Sequence, residues 1–278
     1  MKQLCVIAFL ILINAVASAQ QLKLRQRSSK YLSGSQFAKS ISDTSLSLLE
    51  REALIFKEVK KGNLPQFLRE LSLIKIEKVI DGIAYKLEVY VTSDYLAIGN
   101  NLDYFYVPTT PMLAQRIADL TKTMLPTKLM VDEIYKQATI KLAPNPIPPT
   151  TAMTTVPIFI AHNDMVLKQL RDFEQQHSQS ALTAGNKKDI IISNKIYGEA
   201  TPRVVIYGWH KLDGKAIQPV YNKHTNIWAD YSHGVRLISQ EATLNGKKIK
   251  LADLLKDPIL NQLVSDEGII EISKYPLH

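Results

Sequence analysis

Apolar residues recur every three or four positions in several stretches of the first half of the chain, which is the spacing of an amphipathic helix. The clearest stretch begins with the helix-start pair Thr110-Pro111 and carries an apolar stripe from Met112 to Met124. The same spacing predicts helices in three further stretches: LSLLEREALIFKEVKKGN (46–63), LPQFLREL (64–71) and PTKLMVDEIYKQA (126–138).

Runs of β-branched and aromatic residues predict strands in both halves of the chain. Two such runs flank Asp81-Gly82, the strongest hairpin signal in the sequence. In the second half, strands are predicted in four stretches: VPIFIAHN (156–163), KKDIIISNKI (187–196), RVVIYGWH (203–210) and SHGVRLIS (232–239). Helices are predicted over 164–179, capped by Asn163, and over 248–268, interrupted at Pro258.

These elements together predict a mixed α/β or α+β fold, with N-terminal helices and a β-hairpin followed by a mixed sheet with flanking helices. We expect one integrated globular domain over 46–278. The proline-rich stretch 141–150 must run extended, so 143–150 is the expected place of any internal boundary. Residues 20–45 are rich in Gln, Ser and Lys, which predicts a flexible lead-in.

The first nineteen residues have the pattern of a bacterial secretory signal peptide. Lys2 precedes an apolar run from Leu4 to Ile13, and small residues ending at Ala19 form an A-x-A-like cleavage site. The apolar run is short for a membrane span, and no later stretch approaches twenty apolar residues. We therefore expect a periplasmic or secreted protein, cleaved near Ala19, with no stable membrane insertion.

Cysteine content and charge exclude several kinds of chemistry and partner for the mature chain. Cys5 is the only cysteine and lies inside the predicted signal, which excludes disulfides, cysteine nucleophiles and thiolate ligands from the mature chain. The formal net charge of +8 favours an anionic extracytoplasmic polymer as partner. The charges are dispersed and no run reaches five like charges, so we expect no nucleic acid partner.

Candidate chemistry is concentrated after the proline-rich stretch, because all six histidines follow it. His177 and His278 are set aside as a surface helical residue and the chain end. The other four end or follow predicted strands: His162, His210, His224 and His233. Strand ends at one edge of an α/β sheet are common places for sites, so we expect these four side chains to share one.

Further polar residues accompany these histidines. Lys187 and Lys188 begin a predicted strand, where a lysine can bind carboxylate or phosphate. In DYSHG (230–234), the carboxylate is expected to orient the imidazole, and the phenol and hydroxyl to donate to an oxyanion. The structural alternative for DYSHG is a tight turn in which the same groups bind local backbone.

The stretch SHGVRL (232–237) resembles the active-site signature of the L,D-transpeptidases, which is Ser/Thr-His-Gly-Cys followed by a hydrophobic residue and Arg. His210 matches the upstream histidine of that family. Val235 stands alone between Gly234 and Arg236, where the family has two residues, the first of them the nucleophilic cysteine. The resemblance covers about 30 residues, and without a thiolate it implies a relative that cannot perform that acyl transfer.

Two other interpretations of these residues were weighed. DYSHG nearly matches the G-x-S-x-G nucleophile elbow, but that motif requires a following helix and a later histidine, and here a strand and only His278 follow. A zinc-like ion bound by His210, His224 and His233 with Asp230 is the other, although H-E-x-x-H and H-x-H spacings are absent from the sequence.

A longer part of the chain resembles a group of exported bacterial proteins without an assigned activity. The resemblance spans roughly residues 90–240 and implies one integrated fold, but no catalytic residue. The stretches that carry it are DYLAIG (94–99), PMLAQRIAD (111–119), LPTKLMVDEIY (125–135), AGNKKDIIISN (184–194), YGWH with IQP (207–219) and DYSHGVRLI (230–238).

The sequence therefore predicts an exported hydrolase that acts on an extracytoplasmic polymer, cell-wall material or an acidic glycan, through a His/Asp/Lys loop site. TTPML (109–113) and LPTK (125–128) are expected to contribute from the first half. The alternative is a non-catalytic protein that binds such a polymer in the same basic and aromatic cleft.

The residues assigned to this site fall into three sets. The expected catalytic residues are His210, Asp230, Ser232 and His233. The expected substrate-binding residues are His162, Lys187, Lys188, Tyr207, Trp209, Tyr231 and Arg236. No cofactor is assigned, and the alternative metal ligands are His210, His224 and His233.

Overall fold

The computed structural model describes residues 20–173 and 176–277, so the predicted signal peptide, residues 1–19, and His278 lie outside the described residues. Six α-helices occur in the described part: α1 Gly34–Ser40, α2 Leu48–Lys61, α3 Pro111–Thr121, α4 Lys128–Gln137, α5 Val156–Arg171 and α6 Leu251–Lys256. Short 3₁₀ helices occupy Gln66–Leu68, Thr151–Thr154, Asn194–Ile196 and Leu260–Leu263. Within the described ranges, none of the helices is both long and apolar enough to cross a membrane.

Thirteen strands in the same residues form four sheets. They are β1 Leu71–Ile80, β2 Ile83–Thr92, β3 Ala97–Gly99, β4 Tyr104–Tyr106, β5 Thr123–Met124, β6 Ile140–Lys141, β7 Thr183–Ala184, β8 Lys188–Ile190, β9 Ile206–His210, β10 Ala216–Tyr221, β11 His233–Gly234, β12 Ile238–Leu244 and β13 Lys247–Lys250. β3–β4 and β6–β7 are two-stranded sheets. This mixture of helices and strands confirms the mixed α and β fold class.

The larger sheet brings distant parts of the chain together. Its order is β1-β2-β12-β13, with β5 also paired to β12. β1 and β2 form the predicted hairpin at Asp81-Gly82, where φ is 49° and 79°. A two-residue hairpin turn with positive φ at both positions favours this residue pair. Because β12 pairs with β2, the proline-rich segment 143–150 does not separate the strands into two independent sets.

One large cluster of buried apolar side chains joins this sheet to the helices. β1 and β2 bury alternate residues, among them Ile74, Ile76, Leu87 and Val89, as strands with one covered face do. α2, α3 and α4 turn their apolar stripes into the same cluster. Each fully buried aliphatic side chain of this kind contributes about 1.5–3 kcal/mol relative to exposure.

Two segments of the second half differ from the sequence prediction. VPIFIAHN (156–163) is not a strand but the first half of α5. Its apolar run favours a strand locally, yet Pro157 fits the first turn of a helix, and burial recurs at helical spacing from Val156 to Phe159 and His162. His162 therefore lies within a helix and not at a strand end. The helix predicted over 248–268 is shortened, because its first residues form β13.

The segment 20–45 packs on the core, where its composition predicted a flexible lead-in. Ser33 caps α1 in a capping box with Gln36. Phe37 and Ile41 are buried in the main cluster, and the backbone of Leu22 is hydrogen-bonded to the chain before β1. A few anchoring apolar residues thus outweigh the polar composition, and the serines supply cap and turn chemistry.

Candidate functional site

The candidate site is built around the short strand β8 of the second sheet, whose order is β10-β9-β8-β11. β8 pairs antiparallel with β9 and parallel with β11, so that Lys188 lies opposite Gly208 on one side and His233 on the other. Successive residues of a strand point to opposite sides of a sheet. Lys188 and its neighbour Asp189 consequently lead into two different clusters of polar side chains.

A left-handed backbone in β9 directs its side chains into these two clusters. Gly208 has a φ of 106° and Trp209 a φ of 56°. For a bulky residue this conformation costs about 1–3 kcal/mol and persists only where the surroundings enforce it. The Trp209 ring packs against Lys188, whose Nζ lies 5.0 Å from the ring centroid. Tyr207 and His210 lie on either side of these two residues, and both contact the carboxylate of Asp132.

The first group, the Lys188 cluster, comprises His162, Lys187, Lys188, Trp209, Asp230 and His233. Lys187 Nζ donates to the backbone carbonyl of Tyr231 at 2.7 Å and lies 3.0 Å from Nδ1 of His162. When Lys187 is protonated, Nδ1 accepts in this contact and the proton of the neutral imidazole is on Nε2. The His162 ring also packs against Tyr231 and Trp209, at centroid distances of 5.0 and 6.2 Å. Helix α5 is thereby connected to the DYSHG turn.

The DYSHG turn forms the other wall of the Lys188 cluster. Oδ1 of Asp230 accepts from the backbone N–H and from Oγ of Ser232, at 2.8 and 2.5 Å. Oδ2 accepts from Trp228 Nε1 at 3.3 Å and lies 3.8 Å from Nε2 of His233. The carboxylate therefore closes the turn and also faces the imidazole. The Tyr231 hydroxyl exchanges hydrogen bonds with the backbone of Ile147, so neither hydroxyl is directed at an oxyanion.

Burial and neighbouring charges shift the pKa values on this wall. Burial lowers the pKa of His233 to about 4; Asp230 raises it, while Lys188 and His224 lower it. Burial opposes ionisation of Asp230, but His233, Lys188 and the Ser232 hydrogen bonds outweigh it and lower the pKa of the carboxyl. At neutral pH this pair is a carboxylate beside a neutral imidazole.

The opposite wall shows the same effect of burial. Burial lowers the pKa of Lys187 to about 7, although Asp230 and Asp94 raise it. Burial lowers the pKa of His162 to about 2, and the positive charge of Lys187 lowers it as well. Burial also lowers the pKa of Lys188. At neutral pH both histidines of the cluster are therefore neutral, and Lys187 is only partly protonated.

Several buried polar atoms without a hydrogen-bond partner lie in this cluster, and others lie elsewhere in the described chain, among them Nε of Arg69, Arg203 and Arg236. Within 20–173 and 176–277, such atoms include both ring nitrogens of His233, Nε2 of His162 and Nε1 of Trp209. Thr109 Oγ1 is another, and the Thr109 backbone lies near enough to His233 to raise its pKa slightly, but not at hydrogen-bond geometry. Each unpaired buried group costs about 1–3 kcal/mol, and native proteins keep few of them outside functional sites.

Three partly exposed side chains connect the cluster to the surface: Lys188, His224 and Trp228. His224 stacks on Trp228, with 4.5 Å between ring centroids and an angle of 13°. His233 and Asp230 lie behind them and are 1% and 3% exposed. A ligand that approaches from solvent therefore meets the lysine and the two stacked rings before it meets the imidazole and carboxylate.

The second group, the Asp189 cluster, comprises Tyr95, Asp132, Asp189, Tyr207, His210 and Arg236. Asp189 Oδ2 accepts from the Tyr95 hydroxyl at 2.6 Å, and the Arg236 guanidinium lies 4.2 Å from the Tyr95 ring centroid. Arg236 also donates to the backbone carbonyls of Thr92 and Thr183. Burial raises the pKa of Asp189 to about 6, and Arg236 and Tyr95 lower it.

Asp132 holds together the exposed end of the Asp189 cluster. Its Oδ1 accepts from the Tyr207 hydroxyl at 2.7 Å and lies 3.1 Å from Nε2 of His210, and its Oδ2 accepts from Lys128 at 3.0 Å. Nζ of Lys128 also donates to Oδ2 of Asp266 at 2.6 Å. Burial opposes ionisation of Asp132, but these donors outweigh it and lower the pKa of its carboxyl. Helix α4, strand β9 and the C-terminal segment are thus tied together.

The structure does not bring the three alternative metal ligands together. His210 lies in the Asp189 cluster, whereas His224 and His233 belong to the Lys188 side. Across the described residues, there is no group of three His, Cys, Asp or Glu side chains placed to hold a metal ion. The zinc-like alternative therefore has no ligand set in this part of the chain.

The predicted binding residues do not form an open aromatic cleft. Trp209, Tyr231 and Arg236 are 4%, 2% and 0% exposed, so they are walls and supports. Tyr207 and His210 lie in the Asp189 cluster, apart from His233. Sequence reasoning assembled one site from residues that the structure divides between two clusters.

Several residues of the two clusters were not singled out from the sequence. Tyr95 and Asp132 supply partners in the Asp189 cluster, and Asp94 influences Lys187. Asp94 and Tyr95 closely follow the second strand of the hairpin, and Asp132 is a partly exposed residue of a helix, so the sequence pattern marks none of them as functional. Of the two first-half stretches, TTPML places Thr109 near His233, whereas LPTK places Lys128 on Asp132 in the Asp189 cluster. Comparisons with protein-family models, curated proteins and solved structures found no match to this chain.

Proposed function

We propose that the chain is an acid–base enzyme, a hydrolase of an anionic extracytoplasmic polymer, with the Lys188 cluster as its active site. One observation carries the proposal: the imidazole of His233 is buried and neutral, and within the described chain both its nitrogens lack a hydrogen-bond partner. A carboxylate lies on one side of it and a partly exposed lysine on the other. Buried titratable groups with shifted pKa values and unused hydrogen-bonding capacity are typical of active sites.

His233 fits the role of a general base whose strength depends on bound substrate. Burial and the positive charge of Lys188 keep its pKa near 4, so the unliganded imidazole is available but weakly basic. An anionic group paired with Lys188 offsets that charge and raises the pKa of His233 towards its ordinary value of 6.5. The imidazole then accepts a proton from an attacking water. The water oxygen bonds to the carbon of the scissile bond as that bond breaks, and the leaving oxygen takes a proton from solvent. Asp230 stabilises the imidazolium, which then loses its proton to solvent.

A second candidate function is binding of the polymer without turnover. It is favoured by the low exposure of His233 and Asp230 and by the position of Lys188, His224 and Trp228 at the surface. A cation beside stacked aromatic rings can hold an anionic polymer by itself. The two functions share the surface residues and differ in whether the buried pair does chemistry.

Turnover by matched histidine variants tests the proposal. Mature protein would be incubated with bacterial cell-wall sacculi and with polygalacturonate, and released fragments measured by mass spectrometry and by new reducing ends. We expect His233→Asn to lower the rate at least about 100-fold, the usual size of a general-base contribution. His177→Asn is the control, because this ring packs against Phe173 outside both clusters.

The outcomes separate the two functions. Release by the wild-type protein that His233→Asn does not slow would contradict the assignment of the base. Absence of release from either polymer, together with co-sedimentation of protein and sacculi, would favour binding without turnover. Thermal unfolding of both variants checks that they are folded.

A further inference from the structure

A cavity of about 370 Å³ adjoins the Lys188 cluster. Its wall includes Arg51 of α2, Thr155 at the start of α5, and the consecutive residues Trp228 and Ala229. Ala229 directly precedes Asp230, and the Trp228 indole donates to the Asp230 carboxylate at 3.3 Å. The volume is that of a small-ligand site, and its wall is one residue away from the candidate catalytic carboxylate.

The lining of this cavity combines three kinds of chemical group. The Trp228 indole is partly exposed and supplies an aromatic surface. Ser42, Thr44, Thr154 and Thr155 also line it, and of their hydroxyls those of Ser42 and Thr155 donate to the backbone carbonyls of Ala38 and Ala152 and can still accept from a ligand. Arg51 supplies a cation. A sugar ring packs its apolar face on an aromatic ring, its hydroxyls bind side-chain hydroxyls, and a carboxylate on it pairs with a guanidinium.

Arg51 is held in place at the cavity wall. One terminal nitrogen donates to the backbone carbonyl of Thr154 at 3.2 Å, and the guanidinium carbon lies 5.3 Å from the Phe159 ring centroid. The neighbouring carboxylate of Glu52 accepts from Thr110 and is directed away to that partner. A fixed guanidinium that is partly buried favours an anionic ligand, and the start of α5 adds partial positive charge at the same wall.

The acidic side chain in the lining does not compete strongly for this cation. Asp43 is exposed, and its carboxylate accepts from the backbone N–H of Ser45 at 2.9 Å. This hydrogen bond lowers the pKa of the Asp43 carboxyl. The carboxylate is therefore stabilised within its own turn, and Arg51 stays available to an external anion.

We propose that this cavity binds a carboxylate-bearing sugar unit of the polymer, with Arg51 on the carboxylate and Trp228 against the ring. The inference rests on the proposed function, because it names the substrate class that the Lys188 cluster would act on. The hydroxyl-rich lining and the indole favour an acidic glycan. An acidic peptide offers neither a sugar face for the indole nor ring hydroxyls for this lining.

Calorimetric titration of the mature protein with trigalacturonate tests this assignment, with the fully methyl-esterified trisaccharide as the neutral ligand. We expect the ester to bind at least tenfold more weakly than the acid. Arg51→Gln should weaken binding of the acid at least tenfold, and Arg51→Lys by less. Ile227→Glu should also weaken it about tenfold, because this exposed side chain at the rim tolerates substitution and the new charge repels the carboxylate.

Two controls distinguish this inference from the proposed function. Lys60→Gln removes a positive charge from an exposed position of the same helix and should change the affinity less than twofold. His233→Asn should abolish turnover and leave the affinity for trigalacturonate within about threefold. Lost turnover with retained binding thus reports on the base, and lost binding in Arg51→Gln reports on the cavity.

Three results would overturn the assignment. The first is equal affinity for trigalacturonate and its ester, or absence of binding by both. The second is unchanged affinity in both Arg51→Gln and Ile227→Glu. The third is tighter binding of triglutamate than of trigalacturonate, which would make the ligand an acidic peptide. Thermal unfolding midpoints establish that each variant is folded. If Arg51→Gln is not folded, the affinity of Ile227→Glu alone tests the assignment of the cavity.

Discussion

The two sides of β8 differ in how completely their buried polar groups are paired, although Nε of Arg236 on the Asp189 side also lacks a partner among the described residues. On the Asp189 side, the carboxylates of Asp189 and Asp132 each have a tyrosine donor and a nearby cation. On the Lys188 side, ring nitrogens of His162, Trp209 and His233 lack any partner among the described residues. Pairing stabilises one arrangement of side chains, whereas unused donors and acceptors retain the capacity to bind something else.

Two histidines show what the difference means. His210 lies 3.1 Å from the Asp132 carboxylate and is hydrogen-bonded to it. His233 lies 3.8 Å from the Asp230 carboxylate, beyond a hydrogen bond. Both are histidines beside an aspartate in predicted strand-end loops, yet we expect His210 to matter for stability and His233 for chemistry.

The largest effect is expected on the paired side, at Arg236. Arg236→Met removes the buried cation that lowers the pKa values of Asp189 and Asp94 and the donor to the Thr92 and Thr183 carbonyls, and leaving a buried charge uncompensated costs about 3–5 kcal/mol. Chemical denaturation measures the free energy of unfolding. Lys274→Met is the control, because its pair with Asp119 is exposed and should contribute less than about 1 kcal/mol. Similar losses for the two variants would contradict the comparison.

A smaller loss of stability is expected at the exposed end of the same cluster. Asp132→Ala removes the acceptor shared by Tyr207, His210 and Lys128, and we expect a loss of about 1–3 kcal/mol in the free energy of unfolding. Turnover of the folded variant should stay within about threefold of wild type. A tenfold loss of turnover without unfolding would place His210 in the catalytic machinery after all.

Lys187, on the Lys188 side, should make the free energy of unfolding depend on pH. Lysine in the unfolded chain keeps its proton up to about pH 10.5, whereas folded Lys187 loses it near pH 7. Between these values the unfolded state binds more protons, so the free energy of unfolding rises with pH, by up to about 1.4 kcal/mol per pH unit. Below about pH 7 both states are protonated, and the contribution is constant and least favourable.

Lys187→Met isolates this contribution, because methionine does not titrate. The difference in free energy of unfolding between wild type and variant should rise between pH 7 and pH 9. Lys60→Met, at an exposed position, should show no such change relative to wild type. Parallel pH curves for wild type and Lys187→Met would mean that the lysine stays charged in the folded protein.

The parts of the fold that the sequence predicts well are those specified by local chemistry. The hairpin follows from Asp81-Gly82, since few residue pairs accept its turn, and α3 begins where Thr110-Pro111 predicts. Only the second half of α5 is predicted, within the helix expected over 164–179, because the apolar run of its first half fits a buried strand equally well and only tertiary packing selects the helix. His162 was assigned to the site for a strand end that does not exist, and it reaches the cluster from a helix.

The division of the site into two clusters could not be read from the sequence. It depends on a left-handed backbone at Trp209, which a non-glycine residue adopts only under tertiary constraint. It also depends on Tyr95 and Asp132, which come from the first half of the chain and have no sequence link to His210. The turn chemistry of DYSHG, in contrast, is local, and Asp230 binds Ser232 as such a turn predicts.

The smallest expected effect tests the link between the surface lysine and the buried base. Burial is the main reason that the pKa of His233 is low, and Lys188 contributes a further lowering. Lys188→Gln should therefore raise the pKa of His233 by about half a pH unit, or about 0.7 kcal/mol. Titration of the His233 ring protons by NMR measures it. Lys128→Gln, on the Asp189 side, should leave the pKa of His233 unchanged.

The same titration decides how His233 could become an effective base. If the pKa rises when the charge of Lys188 is removed, an anionic substrate that pairs with this lysine will raise it too, and basicity is coupled to substrate binding. If the pKa stays near 4 in Lys188→Gln, burial alone sets it. The imidazole would then remain a weak base whatever binds at the surface, and the Lys188 side would be a binding surface with an unused histidine behind it.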